Sequence, residues 1–427
     1  MTATQPVTPE AAHTVNMGDE ELMRHPAQGY SRIREVAPLV RGVVPGVDPA
    51  WIVSRYDDVA MVLNDPRFVS NPENIPGMTV PSLGDQVLRL HGTPPEYLKY
   101  RLARMGLFDG AEHARLRGLV SHAFSARHVA EHRKRVTEIA DELLDRLPEV
   151  AEDGVVDLMV HFGHALPSTV LCELVGIPME ARPQGQKWTG VIWSVLEQGK
   201  VEAIRQGKAT AWREMVEFVQ ALIKERRTQP GDDLVSELIR AQNEDPDRLN
   251  DIELIAMIVM LALSARQTTA YLIATGTIAL FTHPEQLALL RRNPDLMPRA
   301  IHEMLRWCTP THVSPRMRYA TEDVEIGGMP VRKGEAVWLA LIAANYDPRR
   351  FDDPERFDIT REPDRHLSFA GGEHYCLGSA LAKLELEVAF DRLLHRFPDL
   401  ALAVDPADVD RELMPFQYRV TSLPVRL

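Results

Sequence analysis

The stretch His366-Leu-Ser-Phe-Ala-Gly-Gly-Glu-His-Tyr-Cys-Leu-Gly378 decides the reading of this chain. It sets one cysteine, Cys376, in a glycine-rich loop that runs into an apolar helical pattern, Ser379-Ala-Leu-Ala-Lys-Leu-Glu-Leu-Glu387. A helix start is electropositive and points successive backbone N–H groups at an anion placed there. A thiol in that position is held as thiolate, the form that ligates a metal. Gly371, Gly372 and Gly378 remove side chains where the backbone would pass close to something flat and wide, and Phe369 offers an aromatic face. His366 and His374 add donors nearby.

Phe369, Gly372, His374, Cys376 and Gly378 together spell F-x-x-G-x-H-x-C-x-G. On this motif the chain resembles the cytochrome P-450 family, whose haem iron is held by one such cysteine thiolate. A buried structural cysteine in a glycine turn is the bland reading of a lone Cys376; five fixed positions in a ten-residue window argue against it. The resemblance implies a mainly α fold with smaller β-sheets, built around haem b (iron protoporphyrin IX) with Cys376 as axial ligand. It extends from about Arg41 to Leu427 and implies a single domain over 16–427; residues 1–15 read as a flexible lead-in.

Upstream, Ala300-Ile-His-Glu-Met-Leu-Arg-Trp307 places Glu303 and Arg306 three apart on a helix. In the family this pair locks with a downstream arginine, for which Arg356 stands at the matching place. All three are expected to be structural. After Pro310 two strands are expected, Met317 to Ile326 and Pro330 to Leu341, joined at Gly327-Gly328. Arg318 matches a family position that reaches a haem propionate, as does His366. Thr311, His312 and Val313 would face the substrate, although a histidine satisfied by the backbone is an equal reading of His312. Phe416 to Leu427 reads as a last pair of strands.

A helix is predicted from Asn250, with Glu253 three residues on as a capping-box partner, to about Thr282. That is about 50 Å at 1.5 Å per residue. It is apolar on most sides and should be buried. Midway it carries the polar patch Ser264-Ala-Arg-Gln-Thr-Thr269, and buried polar groups need partners or a purpose. The family usually has Ala-Gly-x-acid-Thr here, the acid and threonine passing protons to the oxygen being reduced. Thr268 matches. Gln267 replaces the acid; it can orient a water but cannot ionise. Arg266 would pair with an acid in the helices above it or with an anionic substrate.

His113 and Arg117 lie four apart, so both leave one face of a helix. On the fragment alone a solvated face is the better reading. By resemblance the two bind haem propionates, with the usual Asp-Pro-Pro opening replaced by Asp109-Gly-Ala. From His113 to Arg135 five Arg and one Lys face a single acid, Glu131. Such a face on an acidic protein either is merely solvated or attracts an acidic partner. The resemblance implies a ferredoxin, itself served by a ferredoxin reductase. His128 and His132 have the i, i+4 spacing of a metal pair, but no third ligand follows closely, and they read as a solvated helix face.

Toward the N-terminus, Pro38 to Ser54 suggests a hairpin around Gly-Val-Asp-Pro, followed by a helix over Tyr56–Asn64 that ends at Asp65-Pro66. From Phe68 to about Asp109 the chain is rich in Pro, Gly and Asn and reads as a long functional loop; by resemblance it folds over the distal side of the haem. Between Val136 and Arg240 several helices are expected, broken at Gly154, Pro178, Pro183 and Pro230-Gly231. Trp188 to Trp212 would form a mobile roof, on the resemblance only.

The whole-chain numbers agree with an enzyme of this kind. Of 427 residues, 45% are hydrophobic and 26% charged, as in an ordinary globular protein. A net charge of −13 argues against nucleic-acid binding. Three cysteines (Cys172, Cys308, Cys376) make no disulfide framework. The N-terminus lacks a signal-peptide pattern, and the apolar run Leu254–Ala265 is too short to span a bilayer. A cytoplasmic protein, with no membrane or nucleic-acid partner, is expected.

The expected activity is insertion of one oxygen atom from O2 into a small organic substrate, by hydroxylation or epoxidation, with a thiolate pushing electron density onto iron. A second reading, a peroxide-driven haem oxidase or oxidative coupling enzyme, follows from the missing acid at Gln267. The segment Pro95-Glu-Tyr-Leu-Lys-Tyr-Arg-Leu-Ala-Arg104 is similar to loops in bacterial relatives that hydroxylate macrolides and other polyketides, an analogy at the level of fold.

Overall fold

The computed structural model describes residues 13–78, 86, 92–192, 194, 201–363, 365–414 and 416–427, without side chains at 265 and 266. Most of the expected lead-in over 1–15 therefore lies outside the described residues. The chain packs as two compact units, one of Met1–Val87, His302–Cys376 and Arg411–Arg419, the other of Leu88–Ile301, Leu377–Asp410 and Val420–Leu427.

The first unit is organised by a six-stranded sheet in the order Thr14–Asn16, Leu39–Val44, Val47–Val53, Ala336–Leu339, Arg318–Ala320, Phe68–Val69. Alternation along these strands sends side chains to opposite faces. Val40, Ile52 and Trp338 join Tyr30 and Ile33 on one face. Leu39, Trp51, Val53, Val337 and Leu339 join Tyr56, Val59 and Leu63 on the other. The expected hairpin pairs Leu39 with Val53 and Val44 with Val47. Its turn is Pro45-Gly46, one step earlier than read, because Gly46 takes φ +81. The helix Tyr56–Asn64 forms as expected.

The two strands expected after Pro310 are four short ones. Val324–Ile326 and Met329–Val331 form a hairpin across Gly327-Gly328, both glycines at positive φ. Arg318–Ala320 and Ala336–Leu339 pair separately in the large sheet. The break comes where Thr321 N–H turns to the carbonyl of Arg67 and Gly334 adopts φ +86. The C-terminal strands also differ from expectation. Gln417–Val420 pairs with Arg411–Met414, whereas Pro424–Arg426 joins Ala401–Leu402 and Val155–Asp157.

The second unit is mainly helical. Its longest helix, Asp251–Thr282, opens with the predicted reciprocal capping box of Asn250 and Glu253. By length and composition that helix could cross a membrane, but most of its apolar window is buried inside the protein. Gly154, Pro178 and Pro230-Gly231 interrupt helices as read. Pro183 does not: it sits in the first turn of Arg182–Ile192, where its missing N–H costs nothing.

The basic run is less available than its composition suggested. Arg115 pairs with Glu112 and Glu253, Arg133 with Glu387, and Arg135 with Glu173, Glu138 and Glu142. His128 and His132 are half-exposed, and beyond the solvated face expected of them their rings are in mutual contact.

Candidate active site

In the first unit the cysteine loop is closed on itself. Cys376 N–H donates to the carbonyl of Phe369 at 2.9 Å, and Tyr375 N–H to Gly372. Ala370 and Gly372 both lie in the left-handed region, at φ +57 and +66. A Cβ on Gly372 would come within 2.1 Å of the carbonyl oxygen of Leu63. That glycine is therefore required by the chain's own helix Tyr56–Asn64. Gly378 is different: an added Cβ would meet nothing within 4 Å among the described residues. Phe369 is buried, with the rings of His366 and Tyr375 at 5.7 and 6.1 Å. Cys376 keeps partial exposure, and its helix, Ser379–Arg396, begins three residues later.

Beside the loop runs a chain of donors that ends on a buried cation. Arg318, 3% exposed, donates through Nη1 to Ser70 Oγ at 2.7 Å, and Ser70 Oγ lies 3.2 Å from His374 Nε2. Ser70 was not found by sequence reasoning, since a single serine before Asn71-Pro72 carries no pattern. His366 accepts from Ser368 N–H at Nδ1, which leaves its proton on Nε2 as a donor. A buried guanidinium and a donor imidazole suit a carboxylate ligand.

Glu303 and Arg306 form a bidentate pair at 2.7 and 2.8 Å, both nearly fully buried. The third arginine is Arg361, whose Nε is 3.4 Å from Glu303. Arg356 supplies only its carbonyl to Arg306, and its side chain turns out to Asp358. The main chain at 356 faces the pair, so the side chain at the matching position points away. His312 is buried against the Tyr418 ring at 5.2 Å, and burial pushes its pKa down to about 3, keeping it neutral.

In the second unit His113 is buried and Arg117 half-buried on the helix Gly110–Val120. Gly110 opens that helix at φ +57, a conformation closed to the proline of the usual pattern. Gln267 and Thr268 are half-buried in the long helix and Thr269 is buried. The side chain of Arg266, expected to pair with an acid or a substrate, lies outside the described residues.

Sequence reasoning also missed Glu385. It is 3% exposed on the helix Ser379–Arg396, and Thr269 donates a hydrogen bond to it. Burial raises its pKa to about 8, the hydrogen bond from Thr269 opposing, so the carboxyl is mostly protonated at neutral pH. A signal was present: Leu381, Leu384 and Val388 are buried on the same helix, and Glu385 interrupts their i, i+3, i+4, i+7 stripe.

Pro95–Arg104 folds as a short turn and the helix Leu98–Leu102. Tyr97 stacks on Trp212 at 6.0 Å, and buried Arg101 sits over the same ring at 5.7 Å. Trp188 donates to Glu214 across the helices Arg182–Ile192 and Val201–Thr228. Part of the expected roof, 193 and 195–200, lies outside the described residues.

Comparison with known proteins agrees with these features. The family model described as Cytochrome P450 matches residues 43–415. The chain is 41% identical over 399 residues to the 6-deoxyerythronolide B hydroxylase of Saccharopolyspora erythraea, covering 93% of this chain and 95% of that one. The solved bacillaene polyketide synthase cytochrome P450 PksS of Bacillus subtilis 168 superposes with a TM-score of 0.84 at 33% identity, covering 96% and 99% of the two chains. The tirandamycin C-bound P450 monooxygenase TamI gives 0.84 at 32% identity, covering 97% and 100%.

Proposed function

The chain belongs to the cytochrome P450 family, and from that premise we propose that it oxidises a polyketide-derived natural product, a macrolide or related scaffold, by hydroxylation or epoxidation. As a member it is a haem-thiolate monooxygenase of secondary metabolism that takes electrons from a redox partner and acts on a small organic molecule. The observation that carries the reading is the closed Cys376 loop, a partly exposed thiol on a backbone fixed at Phe369 and Leu63. The donor set fits haem b: a thiol for the iron, and cationic or donor side chains for two carboxylates.

When bound, the haem activates O2 at a thiolate-ligated iron. In this reading Cys376 holds the iron. Phe369 and Gly378 border the loop. Arg318, His366 and His374 would take a haem propionate, Arg318 directly or through Ser70; His113 and Arg117 are assigned the same role on the family's spacing alone. Thr268 and Gln267 would order water for proton delivery, and Gln267 supplies no proton of its own. Glu385 stores one at neutral pH, and the Thr269 hydroxyl that contacts it adjoins Thr268 in the chain. We read residues 16–427 as one functional domain, which the unbroken family match supports.

Ferredoxin and a ferredoxin reductase are the proposed electron donors, in the cytoplasm. The ion pairs of Arg115, Arg133 and Arg135 leave Arg127 and Lys134 as the more exposed cations of that stretch. The peroxide-driven alternative is not favoured, because the relatives are named as a hydroxylase and a monooxygenase.

Two optical measurements test the proposal. Cys376→Ala should abolish the thiolate signature of the reduced carbon monoxide complex; its retention would remove Cys376 from the iron. A panel of lactone and polyketide scaffolds titrated into the ferric protein should include one that shifts the main haem band saturably. No shift with any of them would overturn the substrate class.

A further inference from the structure

Three histidines gather on the second unit, away from any role assigned above. The Nε2 atoms of His128 and His132 stand 3.2 Å apart, their rings 4.8 Å between centroids. The ring of His122 lies 5.2 Å from that of His128. His128 sits in the last turn of the helix Ala126–Glu131, and His132 caps its end before the helix Arg133–Asp145 begins. The i, i+4 spacing on adjoining helical turns brings the two rings together.

We propose that His128 and His132 form a chelating site for a divalent transition-metal ion of the zinc, nickel or copper class, separate from the haem. Two imidazole nitrogens on one tetrahedral zinc, each at about 2.0–2.1 Å, stand roughly 3.3 Å from one another. The observed 3.2 Å separation matches this spacing. Imidazole is a preferred ligand for these metals.

A carboxylate stands behind one of the rings. Glu131 Oε2 lies 3.5 Å from His128 Nδ1. A carboxylate on the Nδ1 side, with Nε2 turned to the partner ring, is the arrangement found behind metal-bound histidines. Without an ion the two rings share a hydrogen bond. The site is half-exposed, so water can complete the coordination. Of the nearby cations, Arg133 pairs with Glu387 and Arg135 with Glu173, and the side chain of Lys134 is solvent-exposed.

The test is calorimetric titration of the full-length haem-loaded protein with zinc chloride. The wild type should bind with one-site behaviour, and His128→Ala or His132→Ala should each weaken that site by tenfold or more. The haem spectrum of each variant reports whether it is folded. Should the alanine variants lose haem, His128→Gln and His132→Gln carry the same test with side chains of similar size. Zinc binding unchanged in the double variant would overturn the proposal. So would failure of the folded wild type to bind zinc below millimolar concentration.

Discussion

Glu385 lies at the side of Thr269, a fully buried carboxyl accepting a hydroxyl hydrogen bond within the second unit. A carboxyl in an apolar interior stays protonated because burial penalises its charged form. The sequence lacks the acid expected before Thr268, and this packing places a protonated one on the helix that follows Cys376.

The first prediction concerns pH. The folded pKa of Glu385, about 8, stands above its ordinary value of 4.5. The folded state therefore holds the proton more tightly than the unfolded one. Stability from this group is fully present below pH 4.5 and is lost as pH rises through 8. Glu385→Gln, neutral throughout, should flatten the fall in melting temperature across that window. An unchanged slope would show that Glu385 is ionised in the folded protein.

Gln267→Glu tests the proton route from the other side. If the glutamine limits proton supply, an ionisable acid should raise the ratio of product formed to reductant consumed, by two-fold or more. Product and reduced cofactor are measured together, with O2 and a ferredoxin system. A lower ratio would mean that Gln267 already positions the water well.

Gly372→Ala should be strongly destabilising. The new Cβ would meet the Leu63 carbonyl at 2.1 Å from a backbone at φ +66. Strain of this kind costs on the order of 1–3 kcal/mol before any clash is counted. Thermal unfolding should show the loss and haem content should fall with it. Gly378→Ala, with no neighbour within 4 Å of the added atom, should retain the melting temperature of the haem-free protein.

Glu303→Ala removes one half of a buried bidentate pair and leaves Arg306 uncompensated. Such losses cost about 3–5 kcal/mol. Arg356→Ala removes a side chain that is 61% exposed and should stay within about 0.5 kcal/mol of wild type. Denaturant midpoints measured together discriminate the two, and equal losses would restore Arg356 to the network.

The cysteine loop, the capped long helix and the His113–Arg117 pair were legible in the sequence because each is local. A turn chemistry, an end-cap and an i, i+4 spacing are all written within a few residues, and helical periodicity places them on one face. The family and its chemistry followed from those residues. The sequence could not say that Arg361 and not Arg356 completes the Glu303 pair, nor that Ser70 stands between Arg318 and His374. It also left open that Gly372 is required by Leu63, and that Glu385 meets Thr269. Each of those relations joins segments far apart in the chain, and packing decides them. Which side chain faces inward depends on how a loop returns, and a pKa depends on which atoms exclude water from the group.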